Sequence, residues 1–340
     1  MNPIVVLIAN GDMFFIGVGT TVAAFILRLY FNNRYVVVML TAAWLLGISL
    51  VVLSAAPLHP LLYLLWFALC IGTRLKLRSS NKSKVIMTSA FAVFSLIICL
   101  CELPFHLAGK ISISKGQTIY VIGDSISAGL GEKERTWPTV LGDLSQFKVV
   151  NLARAGATLD TASFQVGQIP TSNSLVLVEI GGNDLLGKTD SRTFYRQLDD
   201  LLEKLKSKNA QVALFELPLL PFWNNYGRDQ RILAEKYDAN LIPKYVLVKA
   251  FAGNGNTIDG LHLSQQGHNE LAGTVFKLLI IHPSGGYGCV MSLAGGNDAA
   301  AVPQFLSGRG PILNSNVPPC RTVRRLIHVW LNARPLRVAV

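Results

Sequence analysis

The sequence predicts an α/β domain built on a parallel sheet, preceded by about four membrane-spanning helices. Three observations carry that expectation. Residues 1–108 are almost unbroken apolar sequence, whereas 111–282 have an ordinary globular mix. Within 111–282, β-branched runs alternate with helical stretches. Polar, glycine-bearing motifs fall where those runs end. The mean hydropathy of +0.40 and a charged fraction of only 15% therefore reflect one apolar third rather than an unusual core. The expected division of the 340 residues is 1–110 (membrane helices), 111–282 (α/β) and 283–340 (a basic, poorly ordered tail).

Four apolar stretches stand out at about 13–30, 35–54, 57–73 and 85–101. Each approaches the roughly 20 residues that cross a bilayer, the third and fourth being short. A re-entrant short stretch would flip one end. The first dozen residues carry no Lys or Arg and include Asp12, which argues against a cleaved signal. Arg28 and Arg34 flank the first connection, and Arg74, Lys76, Arg78, Lys82 and Lys84 fill the third. The second connection, 54–60, has no basic residue. Basic loops facing the cytoplasm give an outside N-terminus, four crossings of the inner membrane and an extracytoplasmic α/β domain. His59 and His106 are read as interfacial, without chemistry.

The net charge of +11 lies largely in loops beside apolar segments and in the tail. No basic helix with interleaved aromatics is present, so a nucleic-acid partner is not expected. Cys70, Cys99 and Cys101 fall in the apolar region, and Cys289 and Cys320 in the tail. The α/β part thus needs no disulfide, and no Cys/His spacing resembles a zinc site.

Residues 118–122, 147–151, 175–180 and 210–216 read as strands, and 240–242 as the start of a fifth. Between them 137–145, 192–207 and 229–237 read as helices, and 265–279 as a closing one. In 192–207, Leu198, Leu201, Leu202 and Leu205 stand at helical spacing. Strands alternating with helices imply a parallel sheet covered on both faces, with functional groups at the C-terminal strand ends.

The first run passes into Gly123-Asp124-Ser125. A glycine at a strand end permits a sharp turn, and a serine beyond it sits near backbone N–H groups that favour a developing anion. An ordinary turn with N-cap chemistry would look the same. The second run ends in 151–156 and the third in Gly181-Gly182-Asn183-Asp184. A glycine N–H and an asparagine amide can donate to one point, so an oxyanion hole from Ser125, Gly156 and Asn183 is expected. Asp184 reads as a helix cap. Asp259 stands three residues before His262, where a carboxylate can orient an imidazole for proton transfer from serine. His268 reads as a helix residue without an acidic partner.

The ordered set Gly123-Asp124-Ser125, Gly156, Gly181-x-Asn183-Asp184 and Asp259-x-x-His262 resembles the four blocks of the SGNH (GDSL-like) hydrolase family. The wording around the third and fourth blocks is most similar to bacterial periplasmic acyl thioesterase/lysophospholipase members. The resemblance covers roughly residues 118–280. It implies a flavodoxin-like three-layer α/β/α fold and metal-free, cofactor-free hydrolysis of carboxylic or thio acyl esters. Carried over, Ser125 is the nucleophile, His262 the base and Asp259 its orienter. Small-molecule, lipid or glycan esters are then the partners. Transfer of the acyl group to an envelope acceptor, and a binding-only domain, are the alternatives. The membrane helices are not part of the family pattern. Gly295-Gly296-Asn297-Asp298 repeats the third block but follows no strand, and it is rejected. The tail has six arginines, no lysine and one acidic residue; 321–340 reads as a possible basic amphipathic helix.

Overall fold

A computed structural model describes residues 2–77, 80–131 and 134–282. The repeat at 295–298 and the tail from 283 lie outside the described residues.

The chain opens with a short helix α1 (Pro3–Asn10), absent from the expectation, which has proline at its start and ends at Gly11 in the left-handed region. Then come α2 (Asp12–Tyr30), α3 (Arg34–Leu53), α4 (Pro60–Lys76) and α5 (Asn81–Glu102), with a 3-10 turn at Leu103–His106. Asn33 caps α3 through the Tyr35 N–H, and His59 caps α4 through Leu61. Three helices among the described residues are long and apolar enough to cross a membrane: α2, α3, and α5 together with its 3-10 turn. A count of four therefore rests on α4, whose 17 residues end in Arg74 and Lys76. Its rise is about 26 Å, against roughly 30 Å of hydrocarbon.

The α/β half runs β1 (Ile111–Ser114), β2 (Ile119–Gly123), α6 (Ser125–Ala128), α7 (Trp137–Ser145), β3 (Val149–Asn151) and α8 (Leu159–Gly167). It continues through β4 (Leu175–Glu179), α9 (Gly182–Leu186), α10 (Ser191–Ser207), β5 (Gln211–Phe215) and α11 (Asn224–Lys236). It closes with β6 (Asn240–Ile242), α12 (Tyr245–Ala252), α13 (Gln265–Phe276) and β7 (Leu279–His282).

The main sheet is wholly parallel in the order β3-β2-β4-β5-β6, the flavodoxin-like arrangement that was predicted. Alternation along the strands sends side chains to two separate cores. Ile122, Val176, Val178 and Leu214 meet the leucines of α10 on one face. Val121, Leu177, Ala213 and Phe215 meet Trp137, Val246 and Leu271 on the other. All five residues of β4 are buried, as a central strand between two helical layers requires.

The closing helix was predicted to reach residue 279, and the structure corrects this. It stops at Phe276, and Leu279–His282 pair in parallel with Ile111–Ser114 as a second, two-stranded sheet. The apolar run 278–281 suits either period, and the free edge of β1 decides it. Helices α8 and α12 were also missed.

The two halves meet at the α3–α4 connection. Ser54 through Leu58 are buried, and Ala55 belongs to the same core as Val178 and Leu217. The Ala55 carbonyl accepts from Lys244 Nζ at 3.0 Å and the Ala56 carbonyl from Asn224 Nδ2 at 2.7 Å. Beside them, Arg231 of α11 binds Glu102 of α5 through two bonds of 2.7 and 2.9 Å. Its Nε donates to Glu216 at 2.7 Å, and the Phe105 ring lies 3.6 Å from the guanidinium carbon. His106, read as interfacial, lies 3.5 Å from both Asp12 and Glu102 at the edge of this cluster.

Candidate active site

The nucleophile turn begins at Gly123. A Cβ there would stand 2.6 Å from Ser127 Oγ and 2.8 Å from the Glu179 carbonyl, so only glycine lets β2 turn this tightly against β4. The Gln165 amide, fully buried, clamps that glycine from both sides: it accepts from the Gly123 N–H and donates to its carbonyl, each at 2.9 Å. Asp124 caps α6 by accepting the Ile126 N–H at 3.0 Å. Ser125 is then the first residue of α6 and is half-buried.

Behind the turn lies a fully used polar network. Trp137 Nε1 donates to Ser127 Oγ at 3.0 Å, and Ser127 donates in turn to Glu179 Oε2 at 2.8 Å. Asn151 Nδ2 holds the Ser127 carbonyl at 2.7 Å. Such satisfied interior networks fix one geometry, because leaving a member unpaired is costly. Sequence reasoning did not single out Gln165, Ser127, Trp137 or Glu179. The one signal was a carboxylate ending the otherwise apolar strand β4.

Gly156 and Asn183 gather at the C-terminal ends of β3 and β4, on the edge that carries Ser125. The Arg154 N–H donates to the Gly123 carbonyl at 3.1 Å, which draws the Gly156 loop to the serine turn. Gly156 has φ +74°, and Asn183 Nδ2 donates to the adjacent Ala157 carbonyl at 2.9 Å. Asn183 thereby spends one of its two amide hydrogens and keeps one. Asp184 does cap a helix, but it is α8 rather than its own: Oδ2 accepts the Leu159 N–H at 3.0 Å.

In the loop before α13, Asp259 Oδ2 lies 2.7 Å from His262 Nδ1. Asp259 Oδ1 accepts the backbone N–H groups of Leu261 and His262 at 2.9 and 2.8 Å. The bond from the imidazole and these N–H groups hold the Asp259 carboxyl well below the usual carboxylate range. No hydrogen bond joins Ser125 Oγ to His262 among the described residues.

His268 lies in α13 as expected but does have an acidic partner, which corrects the reading. Its Nε2 is 3.0 Å from Glu134 Oε1, and its Nδ1 accepts the Trp137 N–H at 3.1 Å. Burial lowers its basicity against the pull of Glu134. With both nitrogens engaged in holding α7, His268 has none for proton transfer.

Burial raises the Asp124 carboxyl from 3.8 to about 6, opposed by the Ile126 N–H and reinforced by Asp184. Glu179 is pushed well up by burial and by the neighbouring Asp124 charge. Between pH 3.8 and about 6 the native state therefore binds more protons at Asp124 than the unfolded chain. Stability contributed there falls as pH rises through that window. Asp124→Asn keeps the cap and removes the titration. Its melting temperature relative to the unmodified protein is expected to climb from pH 4 to pH 6 and then level off. A flat difference across that range would show that Asp124 does not titrate there.

A family model described as GDSL-like Lipase/Acylhydrolase family matches residues 121–270, from within β2 into α13. The chain is similar to thioesterase 1/protease 1/lysophospholipase L1 of Escherichia coli K12, 29% identical over 178 residues. That likeness covers 48% of this chain and 83% of the relative. An arylesterase of Vibrio mimicus is 25% identical over 202 residues, 55% of this chain and 100% of the relative. Esterase TesA of Pseudomonas aeruginosa is 31% identical over 122 residues, 33% of this chain and 58% of the relative. With the flavodoxin-like sheet and the strand-end motifs, these likenesses set residues 121–270 beside the GDSL-like lipases and acylhydrolases, the hydrolase family that the chain resembles.

Proposed function

We propose that Ser125, His262 and Asp259 act as a triad that hydrolyses carboxylic or thio acyl esters, on a protein anchored in the inner membrane. The observation that carries this is the Asp259–His262 pair. A carboxylate fixed by two backbone N–H groups bonds Nδ1 at 2.7 Å and leaves Nε2 as the proton acceptor.

Ser125 Oγ attacks the acyl carbon while His262 Nε2 takes its proton. The Ser125 and Gly156 N–H groups and the remaining Asn183 amide hydrogen hold the tetrahedral oxyanion. Collapse expels the alcohol or thiol, which leaves with the proton from His262. His262 then deprotonates a water that attacks the acyl-enzyme. The carboxylic acid departs and Ser125 recovers its hydrogen. Asn183→Ala is expected to lower kcat on a p-nitrophenyl ester by about 10²–10³-fold with KM little changed. An unchanged kcat would remove Asn183 from the mechanism.

In the same proposal, residues 1–110 are the anchor and 111–282 the catalytic domain, facing away from the cytoplasm. The helix ends that contact the α/β half are those near residues 11, 55 and 105. Arg28, Arg34, Arg74, Lys76, Lys82 and Lys84 stand at the opposite ends of the same helices. Basic residues mark the cytoplasmic side, which supports this orientation.

A further inference from the structure

Building on that reading, we propose that the tip of the loop 217–223, residues 220–222, inserts into the outer surface of the membrane, and that the substrate is an ester whose acyl chain is embedded there. Because the main sheet is wholly parallel, the C-terminal ends of its strands share one edge. That edge carries Ser125 after β2, Asn183 after β4 and this loop after β5. Strands β4 and β5 are neighbours, so the root of the loop stands about 4.8 Å from the strand that positions Asn183.

The same loop leads into the residues that grip the membrane helices. Asn224 Nδ2 holds the Ala56 carbonyl at 2.7 Å and Arg228 donates to that of Leu58 at 3.3 Å. Gly227 is packed so tightly on the α3–α4 connection that a Cβ would lie 2.6 Å from Pro57 Cγ. The loop is therefore pinned between the site and the ends of α3 and α4.

Its tip, Leu220-Pro221-Phe222, is apolar and displayed. Leu220 is 56% exposed and Phe222 73%. Phe222 has φ +72°, a conformation costly for a bulky side chain, which persists only where surroundings enforce it. Strain spent on exposing an aromatic at the outer end of membrane helices fits an interfacial anchor, where aromatics collect. Leu186, just past Asn183, and Ile258 and Leu261, flanking Asp259, are exposed on the same edge. The mouth of the site is thus apolar and membrane-proximal, suited to an acyl chain that never enters water.

The test uses the full chain in phospholipid vesicles. Two substrates are compared: dissolved p-nitrophenyl acetate, and 4-methylumbelliferyl palmitate carried in the same vesicles. Leu220→Asp/Phe222→Asp is expected to lose at least tenfold on the palmitate ester and to keep acetate turnover within twofold. A parallel loss on both, or on neither, overturns the proposal. The added emission of Phe222→Trp is expected to be quenched by lipids brominated near the headgroup. Unquenched emission overturns insertion even where another protein or a second copy covers the tip. An unmodified chain that fails on acetate would count against the esterase reading alone, and the quenching would still decide insertion.

Discussion

Ser125→Ala is expected to abolish ester hydrolysis, with a loss in kcat on the order of 10⁶-fold. The substitution removes only an oxygen from a half-buried position, and the turn around it is held by other atoms. Gln165 clamps Gly123, Asp124 caps Ile126, and Asn151 holds the Ser127 carbonyl. The melting temperature should therefore stay close to that of the unmodified protein. A p-nitrophenyl ester assay reads the activity, and a fluorophosphonate probe reads the nucleophile directly. Labelling should vanish in Ser125→Ala and persist in Asn183→Ala. A Ser125→Ala protein that retains wild-type turnover would end the triad proposal, whatever the geometry of Asp259 and His262.

The second large effect is on stability. Arg231→Ala is expected to destabilise the protein by about 3–5 kcal/mol. It strips the counter-charge from Glu102 and Glu216, both fully buried, and empties the space over Phe105. Arg231→Lys should restore little, since one ammonium cannot bridge two carboxylates as a guanidinium fork does. Replacing all three charges together, as Glu102→Gln/Glu216→Gln/Arg231→Met, should cost far less than Arg231→Ala alone. The neutral set leaves no carboxylate without its guanidinium, and the remaining cost is that of the buried Lys244, which loses the pull of Glu216 and Glu102. Denaturant or thermal unfolding in detergent measures each. A change below about 1 kcal/mol for Arg231→Ala would mean that water reaches the cluster.

What the sequence disclosed and what it hid follow from the range of the interactions concerned. The serine turn and the Asp259–His262 pair are local in the chain, so spacing exposes them. The parallel sheet was legible because 118–122, 175–180 and 210–216 are apolar runs too short for helices and separated by helical periods. Glu134, which pairs with His268, and Glu102, which pairs with Arg231, lie 134 and 129 residues away, and nothing in local pattern announces such pairs. Helix α8 escaped because its capping box uses Thr158 and Thr161 rather than the Ser/Thr-to-Glu form that is easily recognised. Helix α12, Tyr-Val-Leu-Val-Lys-Ala-Phe-Ala, is rich in residues that favour strands, and packing overrode that preference. The Glu102–Arg231 contact was the larger omission. The sequence separates an apolar third from an α/β remainder, yet the described residues up to His282 form one compact unit.

The pairing of β1 with β7 has a topological consequence. Ile111 lies opposite Leu279, so the polypeptide enters and leaves the α/β fold through adjacent strands, about 4.8 Å apart. A fold whose beginning and end touch can be spliced behind a foreign segment, or joined head to tail and reopened elsewhere, without breaking its main sheet.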